Sequence, residues 1–147
     1  MSKTFSAESL ILAGIVGEIA FELYAWLLSP LLFGVALAPA NLVVALVKLG
    51  TDMTIPYWAG FGLHILIGAI AFPTVVWLVA ALTRTGLIIS GAFSGLGLWF
   101  VAQGLLAPVI GRSFMMDFGA YTQSSFIGHV GMAMIIGYFL KSVESRI

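Results

Sequence analysis

EIAFELYAW, residues 18–26, holds Glu18 and Glu22 four positions apart inside an apolar run that extends from Leu10 to Leu28. A helix of about 20 apolar residues crosses a ~30 Å hydrocarbon core. The run is therefore long enough to span a membrane, and its two carboxylates are the exception to be explained. The rest of the chain has the same character. Of its 147 residues, 61% are hydrophobic and only 8% are charged, with a mean hydropathy of +1.14. Soluble domains carry roughly 25% charged residues. So few charges cannot cover a water-facing surface, which places the chain in a membrane.

Four runs reach spanning length: about 8–30, 58–82, 87–108 and 121–140. Each is predicted helical, because an isolated strand leaves its backbone unpaired in lipid. VALAPA (35–40) has the small-residue pattern of a signal cleavage site. The preceding apolar stretch is too long for a signal core and carries two acids, so it is read as a span. Residues 39–50, PANLVVALVKLG, are too few to span. Pro39 suits a first helical turn and Gly50 a C-cap, giving a short helix lying in the interface or folded back on the bundle. The expected fold is all-α: a single transmembrane domain over 1–147, built as an integral membrane four-helix bundle with a short interfacial helix between spans 1 and 2.

Lys3, Arg84, Lys141 and Arg146 fall on one side of this arrangement and Lys48 and Arg112 on the other. That bias predicts both termini in the cytoplasm of a bacterial or archaeal cell, with the chain in its cytoplasmic (inner) membrane. Tyr57, Trp58 and Tyr121 sit at span ends, as interfacial aromatics do. Pro73 is expected to kink span 2, its freed carbonyl being satisfied by neighbours.

The net charge is zero and cysteine is absent. The first gives no footprint for nucleic acid. The second excludes thiolate metal sites, iron–sulfur clusters and cysteine nucleophiles. There is no glycine-rich phosphate loop, since the glycines lie inside spans, and no catalytic residue is assigned. Gly14 and Gly17, then Gly91, Gly95 and Gly97, then Gly128 and Gly131 mark spans 1, 3 and 4. Gly91-x-x-x-Gly95 fits close helix packing. The competing reading is that these glycines clear room for a flat cofactor.

Ionisable residues inside a membrane cost roughly 2.5–3.5 kcal/mol each and face the bundle interior. Glu18 and Glu22 share one helix face. At ~1.5 Å per residue, Glu22, His64 and His129 each fall roughly 9–12 Å below the same end of the bundle. Gln103 lies slightly shallower and Glu18 one turn deeper. The strongest polar groups of all four spans thus form one layer in the outer half of the bilayer.

Three explanations fit that layer. The groups hydrogen-bond across the bundle. Or Glu18, Glu22, His64 and His129, with Gln103 behind them, hold a transition metal such as iron, zinc, manganese or copper. The Glu-x-x-x-Glu spacing differs from the Glu-x-x-His of di-iron bundles. Or His64 and His129 are axial ligands of a b-type haem, which leaves the glutamates unexplained. A proton path or small-ligand site would use the same residue types. In the loop, Phe114-Met115-Met116 reads as an apolar anchor, with a soft copper contact as the alternative.

GLHILIGAIAF in span 2, SGAFSGLGLWFVAQGLLAPVIG in span 3 and SSFIGHVGMAMIIGYF in span 4 together resemble a family of small four-span bacterial and archaeal membrane proteins of unknown function. The matching positions are His64 and Gly68; Gly91, Gly95, Trp99, Pro108 and Gly111; and His129 and Gly137. The tyrosine that usually follows the last histidine is replaced by Gly131-Met132. The resemblance implies four spans and weight on both histidines, and no activity.

Spans 1–2 and 3–4 also echo one another: the Glu22-to-His64 and Gln103-to-His129 separations become comparable once the interfacial segment is removed. Two function classes stay open. One is a non-enzymatic accessory subunit of a larger respiratory or photosynthetic membrane complex, in contact with lipid and with other membrane subunits or copies of itself. The other is a self-sufficient haem or metal binder. A transporter would need dimerisation to provide alternating access.

Overall fold

The computed structural model describes residues 5–144; Lys3 and Arg146 of the charge bias lie outside the described residues. Among these residues the chain forms four helices long and apolar enough to cross a membrane, and one short helix, with no strand. We number them α1 (Ala7–Phe33), α2 (Ala40–Thr51), α3 (Tyr57–Thr83), α4 (Leu87–Val109) and α5 (Ala120–Glu144). Only 28–33% of each long helix's most apolar stretch is buried. The remainder is a continuous apolar exterior, the pattern of a multi-pass membrane protein.

Glycine sets the packing. A Cβ at Gly91 would meet the Ala133 carbonyl, one at Gly95 the His129 carbonyl, and one at Gly137 the Leu87 carbonyl. The α4–α5 seam is therefore backbone against backbone, as small-residue membrane interfaces allow. Along α1, Gly17 receives the Ile136 side chain, and Phe21 and Tyr24 fill the space left by Gly128 of α5. Gly14 abuts the Ala69 carbonyl of α3. That carbonyl is the one Pro73 deprives of its helical N–H partner, and α3 continues through Pro73 to Thr83. The core between the four helices holds Phe21, Val76, Leu87, Met132, Ile136 and Leu140.

The short helix α2 lies on α3, its Val44 side chain against Gly60. It runs past Gly50, the expected cap, and stops at Asp52 in the left-handed conformation (φ 58°). Gly50 has open space around it, so nothing there requires a glycine. Thr51 closes the end instead, its hydroxyl donating to the Val47 carbonyl at 2.7 Å and accepting from the Met53 N–H at 3.2 Å.

The connection from α4 to α5 contains a left-handed turn in which Met115, Met116, Asp117 and Phe118 all have positive φ. Met115 is buried, with its sulfur beside Gly104, while Phe114 and Phe118 are exposed. The turn is thus anchored by one methionine rather than by the whole Phe-Met-Met stretch.

Spans α1 and α4 share an unusual local build. Each widens into π-helical turns, at Tyr24–Leu28 and Val101–Leu106, just before Pro30 and Pro108. Each then ends at a left-handed glycine, Gly34 (φ 70°) or Gly111 (φ 84°). These glycines are 77 residues apart, and so are Gly14 and Gly91, the glycines on which the two hairpins close. The α1–α3 and α4–α5 hairpins are two versions of one design.

Candidate metal centre at the seam of α1 and α3

Glu18 and Glu22 lie one turn apart on α1 and face His64 of α3. The His64 Nε2 is 3.6 Å from a Glu18 oxygen and 3.5 Å from a Glu22 oxygen. One ligand atom from each of the three residues lies within 4.8 Å of the other two. Gly68, one turn along α3 from His64, makes the approach possible: a Cβ there would fall on the Glu18 carboxyl. Trp26, one turn along α1, donates its indole N–H to the outer oxygen of Glu22 at 2.7 Å.

The cluster is polar yet unsatisfied. Glu18 is 1% exposed. Both of its carboxyl oxygens, Oε1 of Glu22 and Nε2 of His64 are enclosed and lack hydrogen-bond partners. Burying such groups without partners is costly, and more so for charges. A cation at the centre would remove the penalty. Ligands ~2.1 Å from a tetrahedral ion stand roughly 3.4 Å apart, close to the two measured separations. Two carboxylates and one imidazole suit manganese, iron or zinc, and three protein ligands leave at least one coordination position open.

His129 stands outside this group. Its Nδ1 is 2.8 Å from the Ser125 carbonyl. A carbonyl only accepts, so Nδ1 carries a proton and donates it to Ser125. The Phe21 ring touches both imidazoles, at centroid distances of 6.0 Å to His64 and 5.6 Å to His129. A haem ligated by both histidines does not fit this packing. Phe21 occupies the intervening space, and the cavity that both imidazoles line measures about 170 Å³. Of the glycines expected to clear room, Gly14, Gly17, Gly91, Gly95 and Gly128 are filled by neighbouring helix atoms, while Gly97 and Gly131 have open space around them. Gln103 lies apart from the cluster, its amide N–H donating to the Ser125 hydroxyl at 3.4 Å.

Two flanking residues escaped the sequence reading. Phe21 lies between Glu18 and Glu22, and only the rotation of α1 shows that it parts the histidines. Trp26 follows Glu22 by four positions, a spacing that places it on the same face. On the lipid-facing side, an apolar groove of about 500 Å³ runs over Glu18 and Glu22 between Trp26 and Phe61.

No family model, curated protein or solved structure matches the chain.

Proposed function

We propose that the protein is a small multi-pass membrane protein that binds one divalent transition-metal ion through Glu18, Glu22 and His64. The observation that carries this reading is the convergence of four enclosed ligand atoms from those residues that form no hydrogen bond. With both termini cytoplasmic, the centre lies in the outer half of a bacterial or archaeal inner membrane. Bound there, the ion would supply a fixed positive charge and an open coordination position at membrane depth. No catalytic residue is assigned. The test is metal content by plasma mass spectrometry, on protein extracted in mild detergent without chelators. About one manganese, iron or zinc per chain is expected. Both Glu22→Gln and His64→Ala should lose it. A wild-type protein that stays metal-free after reconstitution with all three ions sinks the reading.

One observation favours an accessory-subunit role as a second reading. The groove over Glu18 and Glu22 lies on the exterior of the bundle, beside Trp26, which is 59% exposed. A helix of a larger membrane complex seated there would seal the centre from lipid. Cross-linking from an Ile19→Cys variant in native membranes tests this, and capture of lipid alone counts against it.

A further inference from the structure

The cavity on the far side of His64 is chemically unlike the lipid-facing groove. It lies beneath α2, and its wall carries no Asp or Glu. Arg112 lines it and is the single Lys or Arg that does so. Two helix N-termini reach it as well. Pro39, the N-cap of α2, is part of the wall, as is Tyr121 in the first turn of α5. Helix N-termini present positive potential.

Deeper in, the Gln103 side chain is 6% exposed and its Oε1 has no hydrogen-bond partner. Turning the amide lets the Ser125 hydroxyl donate to that oxygen and frees the NH₂ group to donate into the cavity. A volume of about 170 Å³ has room for several waters, or for one small anion with part of its hydration.

We propose that this cavity is a binding site for a small monovalent anion, a carboxylate or inorganic oxyanion, held by Arg112, Gln103 and Tyr121. It lies across the shared His64 imidazole from the metal centre, and its test uses metal-free protein. The probe is azide, whose infrared stretch lies clear of protein absorption and shifts on leaving water. Chelator-treated wild-type protein should show a saturable second azide band. Arg112→Gln should weaken binding about tenfold, the loss of one charge-assisted contact. Arg112→Lys should restore most of it, and Gln103→Leu should weaken it comparably. Displacement of the band by formate alone marks a carboxylate site, and equal displacement by nitrate marks an oxyanion site. Absence of a saturable band overturns the proposal. So does a band unchanged in Arg112→Gln, a variant at the helix end that leaves the bundle core intact. Because no metal is present, a failure of the metal centre leaves this result untouched, and the reverse holds too.

Discussion

The two hairpins repeat one plan but spend it differently. The 77-residue offset that matches Gly14 with Gly91 sets Glu18 against Gly95 and Glu22 against Trp99. In the second hairpin those positions are structural. Gly95 rests on the His129 carbonyl, and the Trp99 indole donates to the Thr122 carbonyl at 3.0 Å. In the first hairpin the same two places carry acids, and the space is made on the partner helix by Gly68. One hairpin closes its seam with backbone contact. The other makes backbone contact at Gly14 and, one turn on, opens around ligand atoms that form no hydrogen bond. The difference separates a seam that packs tightly from one that leaves a polar cluster without hydrogen bonds.

Breaking the closed seam should have the largest effect. Gly95→Leu forces a side chain into the backbone of α5, where neither helix can yield. We expect a loss of ~3 kcal/mol or more, above the usual overpacking cost. It would be seen as aggregation on gel filtration or a collapsed thermal transition. The matched change in the open seam, Glu18→Leu, should do the opposite to the apo protein. It replaces a buried acid that forms no hydrogen bond with an apolar side chain, so metal-free stability should hold or rise. Metal affinity should fall about a hundredfold, the ~2.7 kcal/mol of one charge-assisted ligand contact. If Glu18→Leu unfolds the apo protein as Gly95→Leu does, the two seams do not differ in kind.

Much of the fold was legible because length and hydropathy settle it. The four spans and α2 follow from counting apolar residues at a fixed rise. Glu18, Glu22 and His64 were legible as a group for the same reason: residue count fixes depth, and spacing by four fixes a common face. His129 shares that depth but not that direction. Its azimuth depends on how far α5 rotates to seat Gly91 and Gly95, a packing detail that one helix's sequence does not encode. The π-helical turns at Tyr24–Leu28 and Val101–Leu106 were equally hidden. They insert a residue without a compositional mark and shift every later side chain around the axis. Gly68 drew notice only through the family resemblance. Its physical role, leaving room for the Glu18 carboxyl, needed the α1–α3 crossing.

Smaller changes sharpen the contrast. Gly68→Ala removes no ligand but puts a methyl where the Glu18 carboxyl sits, so that carboxyl must move. We expect metal affinity to drop about tenfold, in the range seen when residues that orient ligands are altered, with the bundle still folded. Titration of apo protein with cobalt, followed by its visible spectrum, reads this directly.

The smallest expected effect on metal binding is that of His129→Phe. Residue counting assigns the two histidines one depth, so a centre using the whole polar layer would lose its ion in this variant. The geometry gives His129 another role. Its Nδ1–H is bound to the Ser125 carbonyl, and its ring packs on Phe21 and Phe72. Phenylalanine keeps the ring contacts and forfeits one hydrogen bond, a loss of ~1 kcal/mol. Cobalt stoichiometry should stay at the wild-type value while the thermal midpoint falls by a few degrees. A lost cobalt spectrum in this variant would move the centre across Phe21 to the second hairpin, and the division of labour between the two seams would have to be redrawn.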